Sequence, residues 1–104
     1  MKISIFYIPT GSAEEAQQLG QKVVENKLAV CSNSFPIQSI YPWEGKLQQD
    51  NEVVLILKTF PKYNAPLQSF IEKHHSYKVP CIMQWDAEVN ESYGDWMKSV
   101  IGKR

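Results

Sequence analysis

No stretch of this 104-residue chain approaches the ~20 consecutive apolar residues of a membrane-spanning helix. The first residues, "MKISIFYIPTGS", hold only a short alternating apolar run without a small-residue cleavage pattern. The expectation is a soluble, cytoplasmic protein with no membrane partner. Cysteine is scarce: Cys31 and Cys81 are the only two, too few for a disulfide scaffold and wrongly spaced for a zinc motif, so reduced thiols are expected. Neither sign of charge is in excess, with 11 Lys+Arg against 11 Asp+Glu, which removes the broad basic footprint of a nucleic-acid binder. Linkers, repeats and low-complexity blocks are missing too, so residues 1–104 read as one domain.

What is present is a regular alternation of elements. "KISIFYIP" (2–9) is rich in β-branched and aromatic residues and reads as a strand stopped by Pro9. Ser12 followed by Glu15 forms a capping box that starts a helix over about 13–27, with Ala16, Leu19, Val23 and Leu28 on its apolar side. Residues 29–43 then run extended to a two-residue turn at Glu44-Gly45, and residues 46–60 return antiparallel. Pro36 and Pro42 cannot donate to a ladder, so the outgoing strand is expected at an edge or bulged. Asn64 is placed to cap a second helix with Pro66 in its first turn and a stripe of Leu67, Phe70, Ile71 and His74. "YKVPCIMQWDAEV" supplies a last strand, and Tyr93, Trp96, Met97, Val100 and Ile101 mark a terminal helix.

The order β-α-β-β-α-β-α predicts an α+β, ferredoxin-like βαββαβ fold with one extra C-terminal helix. Its central hairpin is abnormally long. Arms of about 14 residues extend roughly 45 Å, beyond the ~35 Å width of a compact domain this size. "VVLIL" (53–57) is also continuously apolar, as in a strand covered on both faces, whereas two helices cover only one. Identical subunits are the simplest source of the missing cover.

The densest group of chemically active side chains is "KHHSYKVPC" (73–81). Imidazole and thiolate suit copper or zinc, so His74, His75 and Cys81 are the candidate metal ligands, toward Cu(II) or another divalent ion. Neighbouring helical residues point about 100° apart, so one ion would need the helix to have ended or ligands from a second chain. The structural alternative makes His74 a core or interface member of the apolar stripe, and leaves Cys81 either near His75 or inside the last strand. Cys31 has no glycine-rich elbow or nearby base and reads as a small buried hydrophobe. Without an orienting acceptor or oxyanion hole for a Cys–His pair, no enzymatic activity and no required cofactor are expected. Tyr41, Trp43 and Glu44 at the hairpin tip read as intersubunit packing. Lys58 and Glu52 read as cleft charges or a solvated edge. A polar group of Lys58, His75 and Tyr77 between subunits, with Cys31 alongside, is the candidate cleft for a small anion or metabolite.

"LAVCSNSFP" (28–36), "SIYPWEGKLQQDNEVVLILKT" (39–59), "HSYKVP" (75–80) and "YGDWM" (93–97) resemble the CutA family of divalent-cation tolerance proteins across essentially the whole chain. The resemblance implies a tight homotrimer of ferredoxin-like subunits with long hairpins pairing between them, similar in architecture to PII-type signalling trimers. Trp96 joins the hairpin-tip residues as an expected interface contact. It further implies a role in tolerance to copper and other divalent cations. Many members read His-Pro-Tyr-x-x-Pro-Glu where this chain has Ser76 and Cys81, so a thiol stands in place of a cleft carboxylate. Pro9 occupies the position at which some members end the first strand with a cysteine. Two other readings stand beside metal response: a PII-like trimer that senses a small ligand, and an interaction scaffold. A heavy-metal transfer domain would need Cys-x-x-Cys where "PTGSAE" stands, and an RNA-recognition domain would need stacking aromatics on the third strand in place of "NEVVLILKT".

Overall fold

A computed structural model describes residues 1–101. Strand β1 (Lys2–Thr10) leads into helix α1 (Ala13–Glu25), then come β2 (Cys31–Trp43) and β3 (Lys46–Thr59), a 3-10 turn (Pro61–Tyr63), α2 (Asn64–His74), β4 (Met83–Glu88) and α3 (Glu91–Ile101). The sheet is antiparallel in the order β2-β3-β1-β4. This is the expected ferredoxin-like α+β arrangement with the added helix. Proline-bearing β2 lies at an edge, where its missing donors face outward. The β2–β3 turn places Glu44 and Gly45 both at positive φ, 51° and 78°, the two-residue geometry that matches strand twist.

Cross-strand partners share a face, so the register sorts the sheet into two sides. On one, Phe6 and Ile8 pair with Leu57 and Leu55 and pack beneath Ala16, Leu19 and Val23 of α1 and Leu67 and Ile71 of α2. On the other lie Ile5, Tyr7, Ile56, Phe35, Met83 and Trp85. Helix α3 covers only one end of that second side, where Met97 and Ile101 pack on Ile3. Phe35, Met83 and Trp85 stay exposed, as do Trp96 and Val100 on the outer surface of α3. Only part of the expected α3 stripe is therefore internal.

β1 pairs with β3 only as far as Thr10↔Val53, while β2 and β3 remain paired to Trp43↔Lys46. The distal half of the hairpin has no third strand and stretches the molecule to 46 × 24 × 21 Å. Ile40 and Leu47 near its end are 68% and 69% exposed.

Four expectations need correction. Asn64 does not cap α2 but is its first residue, because the preceding 3-10 turn has already begun the winding. The last strand is shorter than expected: residues 75–82 carry the chain around the sheet end before pairing begins at Met83. His74 is exposed, because α2 stops at that residue and the last member of its stripe stands past the core. Cys31 is only half-buried, on the sparsely covered second side, opposite Lys58.

Gly20 lets α1 approach the sheet. A Cβ there would meet Ser32 Oγ at 2.8 Å, Ser32 Cβ at 3.0 Å and Leu55 Cδ1 at 3.2 Å. Gly20→Ala should gain ~1 kcal/mol of helix propensity but lose about 2 kcal/mol to overpacking. Urea denaturation should therefore give a net loss of roughly 1 kcal/mol. A stabilised variant would mean that α1 shifts away from β2 freely.

Candidate functional site

The site is built where β1 ends and the segment after α2 crosses beneath the hairpin. Ser12 Oγ accepts from the Glu15 amide at 3.0 Å, as a capping box requires. The Glu15 carboxylate, however, accepts from the amides of Gly11 at 2.9 Å and Ser76 at 3.0 Å, so it ties the α1 start to the turn after α2. Burial opposes the charge on Glu15, but these amides, aided by the Ser76 hydroxyl, outweigh it and hold the carboxyl below its ordinary pKa.

Of the two histidines expected as candidate ligands, one is enclosed and the other is open. The His75 side chain is fully buried. Its Nε2 lies 2.8 Å from the Pro9 carbonyl, which can only accept, so Nε2 donates. Nδ1 accepts from the Tyr77 amide at 3.0 Å and stands 3.7 Å from Glu15 Oε2. Both ring nitrogens are committed to the protein, which leaves no lone pair for a metal. His74 is exposed and stacks on Phe70 with ring centroids 4.1 Å apart. Its Nδ1 donates to the Phe70 carbonyl at 2.9 Å, which orients the ring and leaves Nε2 as a bare, accessible acceptor.

Held by His75, Tyr77 donates from its hydroxyl to Glu52 Oε2 at 2.6 Å. Burial first, then the hydrogen bond and charge of Glu52, push the Tyr77 phenol far above its ordinary pKa, so it stays a donor. Tyr41 makes the same kind of bond to Asp50, which raises its own pKa. Between the distal half of the hairpin and the 77–81 segment opens a cleft of about 590 Å³, whose walls include Tyr41, Trp43, Glu52, Tyr77, Val79 and Cys81, with Lys78 and Pro9 also bordering it.

Tyr77 and Cys81 therefore meet in one cleft, as do Tyr41 and Trp43. Lys58 and Cys31 do not join them. They pair with each other at the opposite end of the hairpin, where Lys58 Nζ sits 5.3 Å from the centre of the Tyr93 ring. Within one protomer the register carries Lys58 away from His75 and Tyr77. Glu44 is in the turn and Trp96 on α3, both outside the cleft wall. Cys81 is exposed, ahead of β4 rather than inside it. Among the described residues, no three His, Cys, Asp or Glu side chains gather to hold a metal ion. The contribution of Glu15 escapes a sequence reading because its amide partner at Ser76 is distant in the chain. Period-two alternation does put Glu52 on the side of Val54 and Ile56.

Comparison with known proteins supplies context. Residues 4–100 match the family described as CutA1 divalent ion tolerance protein. A divalent-cation tolerance protein CutA of Archaeoglobus fulgidus is 34% identical over 94% of this chain and 97% of its own length. Protein CutA of Homo sapiens is 32% identical over 94% of this chain, which spans 56% of that longer relative. A solved structure described as the periplasmic divalent cation tolerance protein CutA of A. fulgidus superposes with a TM-score of 0.90 at 34% identity, covering 95% of this chain and 98% of that one. The divalent cation tolerance protein of Thermus thermophilus gives 0.87 at 34% identity, covering 98% and 100%. No helix among the described residues is long and apolar enough to cross a membrane.

Proposed function

This chain belongs to the CutA1 divalent ion tolerance family, and on that premise we propose that it is a non-catalytic homotrimer that binds divalent cations, Cu(II) among them. The observation that carries the metal reading is the pair of accessible soft donors flanking one segment: His74 with a bare Nε2 and Cys81 with an exposed free thiol. Copper and zinc take three or four such ligands, so the remainder comes from other copies of the chain or from water. The overhanging hairpin and the exposed Phe35, Met83 and Trp85 favour assembly, since subunits packed there would cover apolar surface that water otherwise meets. A PII-like arrangement would turn each cleft into a boundary between subunits. Binding is favoured over catalysis because His75, the base closest in sequence to Cys81, already has both nitrogens bonded to backbone. Two free thiols support a cytoplasmic setting.

Titration with Cu(II), and with redox-inert Zn(II) as a control, tests the assignment. His74→Ala and Cys81→Ser should each weaken binding by about tenfold or more, as loss of one ligand does. His75→Ala should leave metal affinity intact in whatever fraction remains folded. Equal affinity in wild type, His74→Ala and Cys81→Ser would refute the site.

A further inference from the structure

His74 is exposed, yet two contacts from a single residue hold its ring. The imidazole lies nearly parallel to the Phe70 ring, with 22° between planes and 4.1 Å between centroids, while Nδ1 donates to the Phe70 carbonyl at 2.9 Å. Tilt and tautomer are thereby fixed together. Phe70 is half-buried and packs against the core cluster that includes Leu67 and Ile71, so the platform under the histidine is itself anchored.

The tautomer decides which nitrogen a metal can reach. A free surface histidine prefers its proton on Nε2, and offers Cu(II) a chelate ring closed by Nδ1 and its own amide nitrogen. Here both of those atoms are taken. Nδ1 carries the proton donated to the Phe70 carbonyl, and the His74 amide belongs to the last turn of α2, where the helical pattern supplies its acceptor. Nε2 holds the one remaining lone pair of the ring.

We propose that Phe70 is a positioning residue for metal ligation at His74: it holds the ring as the Nδ1–H tautomer and directs a divalent ion to Nε2 alone. This rests on His74 serving as a metal ligand. A carbonyl behind the imidazole also makes Nε2 a better donor to the ion, as outer partners of ligating histidines do. With amide chelation closed, Cu(II) and Zn(II) meet the same single nitrogen, so any preference between them at this residue comes from the ions and their other ligands.

Long-range nitrogen–proton NMR spectra of the labelled full chain, without metal and at mildly alkaline pH, should show His74 protonated on Nδ1, and Zn(II) should then perturb Nε2. Phe70→Leu, which keeps apolar bulk but removes the stack, should return part of the proton to Nε2 and weaken Zn(II) by about tenfold. Phe70→Tyr keeps the ring and should keep both tautomer and affinity. Should the leucine variant fail to fold, the wild-type spectrum still decides. A wild-type ring protonated on Nε2, zinc bound through Nδ1, or undiminished zinc affinity in Phe70→Leu while His74→Ala binds weakly would overturn the positioning role and leave the metal site standing. Equal zinc affinity in wild type and His74→Ala would instead remove the metal site, and the positioning role with it.

Discussion

Replacing His75 with alanine is expected to lower unfolding free energy by about 3 kcal/mol, from two stranded buried backbone groups and the cavity left behind. The Pro9 carbonyl and the Tyr77 amide would both lose their partner. That corresponds to a fall in Tm of roughly 10 °C or more for a domain this size. The effect should reach the cleft, because the Tyr77 amide bond helps to aim the hydroxyl at Glu52. Thermal and urea denaturation followed by circular dichroism measure the loss. A variant within about 0.5 kcal/mol of wild type, the range of ordinary surface changes, would show that His75 is not a fastener. Glu15 adds a pH dependence to the same junction. Its folded pKa is depressed, so its contribution is present above the unfolded carboxylate value and is lost as pH falls through the lower folded one.

Trp85→Glu is expected to convert the assembled protein into a monomer. Trp85 is 45% exposed on the second side of the sheet, opposite Ile5. If identical subunits cover this side, a carboxylate there loses hydration without gaining a partner, a penalty of several kcal/mol at each copy. Dissociation should become easier by about a hundredfold or more. Sedimentation of wild type and variant at micromolar concentration provides the measurement. Wild type sedimenting as a monomer would remove the trimer itself, and an unaltered trimer in the variant would place the interface elsewhere.

Local patterns are legible in this chain because they act over few residues. Ser12 caps α1, Glu44-Gly45 turns the hairpin, and Pro36 and Pro42 mark the edge strand, each through backbone chemistry that a short window contains. Other assignments depend on where an element stops relative to the core. His74 follows the apolar stripe of α2, yet α2 ends there and the ring finds solvent. His75 is adjacent in sequence but turns inward to Pro9, a partner that no periodicity identifies. Cys81 is in the cleft and Lys58 is not, because strand register fixes one and an irregular crossing segment the other.

The sequence by itself determined the order of elements, the overlong hairpin and the surplus of apolar strand positions, since these follow from residue period, turn chemistry and strand rise. Tertiary structure alone decided which histidine is closed and which is open, and that Glu52, rather than Lys58, lines the cleft. Burial and hydrogen-bond partners come from segments far apart in the chain, so their consequences exist only after the sheet end, α1 and the 75–81 turn have packed together.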